Sequence, residues 1–521
     1  MRQLIFVIYL FLLAPISTHA GDFLDTRITF GISDDNILLG PGQSNPSSPS
    51  VSFIPGDRNT LFFDNYNTRF SGFETLSHAV LYKKLPSYFK RLTTEAALVV
   101  RMQYIPERAD TSFSLKDAGS YILLTYDFIE SPDLKRQLTL TTFPLSSDRF
   151  RLGYSYRLSW GGDSTFPRRT IVSPVPGFKL QFNYDFTRDL NLFAFTGLKT
   201  TFLQKRVTPE LIEEETAYGV LGGFGFSAGG FRIEGGAAFF DKGTFANPGV
   251  RGLPVTFYGV SSQISYSYGM PIGVSIDFQL YRNDPDMPMR FFRAERYEPG
   301  KFSFALSAEF SHITNMLQDA EKLDTISPAP GMAADLNFSM KFGYLRFHAD
   351  IVFRDLGFIL QNVPGFVPFQ GFSSKQKISP EFFAAVGIDY YIKPAYLTIG
   401  LKGGVMIPAT FRGEIPPELV GGTPPSSLTG EQIVVIRDEG DFMLIPTKDE
   451  VGNPADIMPV FSIKFNLKWQ LSDFLAVVGE FMLSVDNNQT RLERTAEGGA
   501  EFRKFIDPLK IGFNAMLQAR F

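Results

Sequence analysis

The most constraining feature of this chain is a period-two alternation of apolar and polar residues held over segments of about 9 to 14 residues. In the stretch 149–160 one parity carries Phe150, Leu152, Tyr154, Tyr156, Leu158 and Trp160. The other carries Arg149, Arg151, Gly153, Ser155, Arg157 and Ser159. Residues 178–186 repeat the pattern with Phe178, Leu180, Phe182, Tyr184 and Phe186 against Lys179, Gln181, Asn183 and Asp185. Phe302 to Phe310 does so again, as do two segments flanking Gly343-Tyr344. Side chains alternate faces along a strand, so each such segment has one oily and one wet face.

Strands of soluble proteins average about five or six residues, and these are longer. A membrane-crossing strand needs about 9 to 11 residues at a steep tilt. Only a closed barrel can place a sheet in lipid, because an open edge would leave its amides and carbonyls unpaired there. The pattern therefore predicts an all-β chain forming a transmembrane antiparallel up-and-down β-barrel of about 20 strands, within a range of 18 to 22. It runs over residues 74–521, with an even count so that both ends share one side. Composition agrees: 54 Phe in 521 residues need either a very large core or a partner other than water.

Arg2, the apolar run Leu4 to Ala14 and the small residues Thr18 and Ala20 read as a secretory signal over 1–20, cut before Gly21. Eleven apolar residues are too few to cross a bilayer as a helix, which takes about 20. Residues 21–73 are rich in Pro, Ser, Gly and Asn and read as an irregular periplasmic segment or a short hatch. Zero cysteine excludes disulfides, thiol nucleophiles, Cys-ligated metals and a lipidated N-terminal thiol. A net charge of −4 gives no case for nucleic acid. No cofactor, metal site or catalytic residue is indicated.

The last strand, Leu509 to Phe521, keeps Leu509, Ile511, Phe513, Ala515, Leu517, Ala519 and Phe521 on one parity, and ends on an aromatic. In this the chain resembles the bacterial outer-membrane β-barrel class of porin-like build. The resemblance implies an outer-membrane location, contact with its lipid and lipopolysaccharide, and Phe521 as the signal read by the barrel-assembly machinery. Short turns at Ser146-Ser147, Thr187-Arg188, Ala228-Gly229, Met270-Pro271, Gly343-Tyr344, Lys393-Pro394 and Leu471-Ser472 would then be periplasmic. That parity requires a strand from Pro288 to Tyr297. The longer connections 315–331, 357–379, 409–458 and 486–507 would lie outside. The 409–458 loop is Pro- and Gly-rich with net charge −6, and reads as a gate, a cation-bridged lipopolysaccharide contact or a solvated cap.

If the Phe-rich parity faces lipid, the lumen-facing parity carries about five more basic than acidic residues. Charge inside a pore biases which ions enter. The expected function is passive diffusion of small hydrophilic solutes with mild anion preference. A basic ladder would combine Lys402, Lys464, Lys468 and Lys510, with a second cluster of Arg151, Arg157 and Lys179. Two other readings stand beside it: a transporter of hydrophobic compounds with an N-terminal hatch, and a plugged barrel anchoring an envelope complex. The Asn-Pro-Ala triplet of the long-chain fatty-acid transporter class falls here at Asn453 to Ala455, in the long loop instead of near the start. Of four histidines, His348 lies on the lumen parity between Arg346 and Asp350, and none sits in a hydrolase signature.

Overall fold

In a computed structural model the alternating segments become long antiparallel strands. The structure describes residues 23–34, 36–38, 50–52, 77–85, 89–106, 111–117, 119–131, 133–155, 157–166, 174–206, 212–269, 301–361, 371, 376–414, 431–438, 441–447, 455–494 and 501–520. Among the described residues, eighteen staves form the wall. They are β1 Phe23–Asp34, β2 Ser77–Leu85, β3 Leu92–Pro106, β4 Tyr121–Asp127, β5 Arg136–Phe143 and β6 Gly177–Asp185. Next come β7 Leu190–Arg206, β8 Ile212–Ala228, β9 Phe231–Thr244, β10 Pro254–Tyr268, β11 Phe302–Gln318 and β12 Ile326–Phe342. The last are β13 Leu345–Arg354, β14 Glu381–Ile392, β15 Leu397–Ile407, β16 Val460–Gln470, β17 Leu475–Val485 and β18 Leu509–Arg520. Two further pieces of the same sheet, Ser50–Ser52 and Thr111–Asp117, prolong the wall beyond β2 and β4.

Each stave pairs antiparallel with the next, and β1 closes the ring on β18 from Arg27 opposite Arg520 to Asp34 opposite Phe513. No edge is left among these staves, which is what lipid requires. One parity points outward and is apolar: Phe224, Ile264, Val386 and Phe461 are each more than half exposed. The other points inward and is polar, with Lys199, Ser311, Asp389 and Asn466 fully buried. This inversion of a soluble protein's pattern marks a membrane-spanning barrel.

The turns joining β6–β7, β8–β9, β12–β13, β14–β15 and β16–β17 lie at one end, together with both the start of β1 and the end of β18. Gly229 and Gly343 take positive φ (59° and 58°) in two of these two-residue turns, a conformation such tight hairpins demand. The outer surface near this end is ringed by aromatics. Tyr184 and Phe186 lie 4.8 Å apart, Phe231 and Tyr266 4.9 Å, and Tyr266 and Phe304 5.7 Å. Aromatic rings favour the lipid–water boundary.

Three sequence expectations need correction. Residues 23–34 fell within the segment read as irregular, yet they form the closing stave β1. Their alternation (Ile28, Phe30, Ile32) is short, and their partner lies at the far end of the chain. Residues 149–160 alternate but are not a membrane strand, and Ser146-Ser147 is no short turn; the chain there folds into the lumen. A segment laid along an inner wall alternates for the same reason a lipid-facing strand does. Third, the 409–458 connection holds strands Thr410–Glu414, Glu431–Asp438 and Asp441–Pro446, which build a four-stranded sheet with Lys377–Ser379 beyond the wall. One face packs Phe411, Val434, Ile436 and Leu444 on Leu356 and Ile359 of helix α1, Leu356–Leu360. The other packs Ile433, Val435 and Ile445 on Ala455. The run Ile433 to Ile436 is apolar on both parities because both faces are covered.

Strand β10 pairs directly with β11, from Phe257 opposite Asn315 to Tyr268 opposite Phe304. Among the described residues the staves number eighteen, within the expected range. The expected strand at 288–297, the turn at Met270-Pro271, the signal over 1–20 and Phe521 lie outside the described residues.

Candidate functional site: an inward loop and the cavities beneath it

The connection between β5 and β6 turns into the barrel. Its tip is a tight hairpin in which Leu152 and Trp160 exchange two backbone hydrogen bonds of 2.9 Å each. Gly153 and Gly161 flank it at φ 87° and 81°. The neck is closed by Asp163, whose carboxylate accepts from the hydroxyls of Ser146 (2.6 Å) and Ser147 (3.3 Å). The Asp148 carboxylate returns the bond by accepting from the Asp163 N–H at 2.9 Å.

The wall is shaped to receive this loop. Strands β8 and β9 present Ala217, Gly219, Leu221, Gly223, Gly236 and Ala238 inward, and the missing side-chain volume is filled from the loop. Leu152, Leu158, Trp160 and Phe166 are at most 4% exposed and cluster with Leu221, Phe240 and Phe257. Trp160 meets Phe257 edge-on at 5.3 Å, and Phe166 meets Phe240 edge-on at 5.6 Å. Burying each such side chain contributes about 1.5–3 kcal/mol to docking.

Polar anchors orient what the apolar contacts hold. The Trp160 Nε1–H donates to Ser261 Oγ at 2.7 Å, and Ser261 and Ser311 share a 2.8 Å hydrogen bond. On one side of the barrel the buried Lys199 ammonium of β7 donates to the carbonyls of Ser147 (3.0 Å) and Gly161 (2.7 Å), bridging the two arms of the neck. Four staves further round the wall the Glu309 carboxylate of β11 accepts from the Tyr154 N–H (3.0 Å) and the Ser155 N–H (2.8 Å). Glu381 of β14 takes a two-pronged bond from Arg354 (3.0 and 3.1 Å), and the Arg157 guanidinium sits 3.7 Å away. Buried charge is costly unless it is paired or hydrogen-bonded; Glu381 is paired with Arg354, and Lys199 and Glu309 are hydrogen-bonded to the loop backbone.

Beneath the loop two cavities of about 250 and 480 Å³ run toward the short-turn end. They share Arg149, Phe150, Lys179, Gln181, Asn183 and Phe193 in their walls, so they adjoin one another. The basic side chains around it are Lys135, Arg149, Arg151, Lys179 and Arg232; the acidic ones are Asp185, Glu234 and Glu309. Glu309 is committed to the loop, and Glu234 to Arg232 beside it.

The residues singled out from sequence distribute unevenly. Arg151 and Lys179 meet on this cavity, whereas Arg157 crosses to Glu381. Lys402 and Lys464 stand directly opposite one another on β15 and β16, both buried, with Lys464 paired to Glu480 at 2.8 Å. Lys468 lies further along β16 on the same face and is also buried, and Lys510 stands two staves away opposite Ser484. Asn466, Glu480 and Asn514 interleave with these lysines. Sequence reasoning missed Trp160, Ser261, Lys199, Glu309 and Glu381 as loop anchors. The available signals were one of only two tryptophans and the small inner parity of β8. Among the described residues no group of three His, Asp or Glu side chains is arranged to hold a metal ion.

No family model matches the chain, and no curated protein matches it. Solved structures do. OpdQ of Pseudomonas aeruginosa aligns at TM-score 0.40 and 10% identity, over 96% of this chain and 97% of its own. The outer membrane protein OprD of the same organism aligns at 0.41 and 8%, over 96% and 92%. An anion-selective porin from Comamonas acidovorans aligns at 0.34 and 9%, over 96% and 99%. Likenesses this low carry no argument; the barrel is read from this chain's own strand pairing and its apolar exterior. On those grounds the chain is a closed antiparallel β-barrel with the apolar exterior of a membrane-spanning wall.

Proposed function

We propose that this barrel is an outer-membrane channel for passive diffusion of small hydrophilic solutes, with a mild preference for anions. The observation that carries the reading is the pair of adjoining cavities beneath the inward loop, around which basic side chains outnumber acidic ones. A wet, polar lumen is the affordable place for such charge, and its sign biases which ions enter. The loop narrows the lumen to this passage and is fastened to several staves, so it acts as a fixed constriction.

The test is single-channel recording in planar bilayers with a KCl gradient. Ohmic steps with a reversal potential favouring chloride support the reading. Lys179→Glu should move that potential toward cation preference. Silence from barrels whose insertion and heat-modifiable migration are verified would overturn the channel reading in favour of a plugged scaffold.

A further inference from the structure

One patch of the lipid-facing wall carries a charge. Gln137 and Asn183 line the cavity, so their chain neighbours Arg136 of β5 and Tyr184 of β6 face the membrane, directly opposite one another. Arg136 lies at the short-turn end, and its guanidinium sits 4.6 Å over the Tyr184 ring. Its Nε–H donates to the Asp185 carbonyl at 3.1 Å, which fixes the plane of the group. The rings of Tyr126, Phe128, Phe182, Tyr184 and Phe186 run in series around it, with successive centroids 4.8 to 6.0 Å apart. Neighbouring cations at this end are committed to carboxylates: Lys90 and Arg91 to Glu130 at 3.6 and 3.1 Å, and Arg188 to Asp133 at 2.8 Å. Arg136 differs. Among the described residues no carboxylate lies within ion-pair distance of it, and its two terminal nitrogens have no protein partner. The nearby Asp185 carboxylate instead accepts from the Lys135 N–H at 2.7 Å.

We propose that Arg136 and this series of rings bind the phosphate of an anionic phospholipid at the rim of the barrel. The inference rests on the membrane-spanning wall and is independent of what crosses the lumen. A guanidinium meets phosphate oxygens through a planar fork. The Tyr184 ring already holds that fork at its face, so little side-chain freedom is lost on binding. Aromatic rings favour the lipid–water boundary, which sets Arg136 at the depth of the headgroups. Toward the middle of the wall the exposed Ile122, Phe178 and Leu180 offer apolar surface to the acyl chains. A zwitterionic headgroup brings its own ammonium against the guanidinium, so the site prefers a lipid whose headgroup charge is the phosphate alone. A free phosphate ion engages the fork but leaves the rings and the apolar staves uncovered.

The experiment uses the absence of cysteine. Leu180→Cys places a unique thiol on the outer face of β6, on the same parity as Tyr184. Labelled with bimane and reconstituted into phosphatidylcholine vesicles, it reports neighbouring lipid through quenching by brominated acyl chains. Brominated phosphatidylglycerol should associate with this position about five- to tenfold more strongly than brominated phosphatidylcholine. Arg136→Gln should bring that ratio near unity, whereas Arg188→Gln, which removes a cation already paired with Asp133, should leave it in place. If Arg136→Gln prevents folding, judged by heat-modifiable migration, Tyr184→Leu carries the test, because loss of the platform should lower the ratio about twofold or more. Inorganic phosphate at constant ionic strength should leave the quenching unchanged, and its loss there would overturn the lipid assignment in favour of a free anion. A ratio near unity in the parent, or one lowered equally by Arg188→Gln, would overturn the inference.

Discussion

Replacing Trp160 by Ala should release the inward loop without opening the barrel wall. The indole is fully buried, packs edge-on against Phe257 at 5.3 Å and donates to Ser261 Oγ at 2.7 Å. Truncating a buried Trp to Ala costs about 3–5 kcal/mol, the hydrogen bond being about 1 of that. None of the cost falls on the wall's backbone ladder, so it weighs on the equilibrium between docked and undocked loop. At about 1.4 kcal/mol per factor of ten, the undocked population rises on the order of 10²–10³-fold. The chain has no cysteine, so Ser155→Cys gives a unique thiol at a tip position only 2% exposed. Its reaction with a water-soluble maleimide reads the undocked fraction when reclosing outpaces labelling. Lys199, Glu309 and Glu381 still hold the loop most of the time, which keeps the measurement in that regime. We expect labelling to accelerate by that factor in Trp160→Ala, by only about fivefold in Trp160→Phe, and heat-modifiable migration to stay unchanged. Labelling of the alanine variant at the parent rate would refute the claim that this ring docks the loop.

Other expectations follow from the same geometry. Lys199→Gln removes two charge-assisted bonds to the neck carbonyls, each contributing about 1.5–3 kcal/mol; single-channel conductance should become larger and noisier, and an unchanged trace counts against a positioning role. Gly236→Val would set a Cβ 2.7 Å from Leu152 Cδ2. Overpacking of about 1–3 kcal/mol should then speed maleimide labelling in the Ser155→Cys background, and no acceleration would mean that the loop does not use this wall. Lys464→Glu faces Glu480 inside the wall and leaves two buried carboxylates together at about 3–5 kcal/mol. The yield of folded barrel should fall on gels, whereas Lys179→Glu at the cavity should fold and shift selectivity. Deleting Phe521 should lower the amount of barrel assembled in cells, and undiminished assembly would dismiss it as an assembly signal.

Side-chain period made the barrel legible in the sequence. In Phe178 to Phe186 or Phe302 to Phe310, two-fold alternation over a membrane-length strand admits one oily and one wet face. Only a closed wall satisfies such strands in lipid. The lumen parity was legible too, since Lys199, Glu309, Lys402 and Lys464 all point inward as alternation requires. Alternation says which face a residue takes, but not what lies across that face. Residues 149–160 carry the same signal as a lipid-facing strand, and only the glycine- and alanine-lined interior of β8 and β9 shows that their apolar side fills the lumen. The closing stave hid for a related reason, because Arg27 meets Arg520 across the whole length of the chain and no local pattern records that pairing. The site divides the same way. Parity determined that the interior would be charged. Tertiary structure alone decided which charges hold the loop, which pair within the wall and which face the cavity, because those roles depend on neighbours brought together by register and not by sequence.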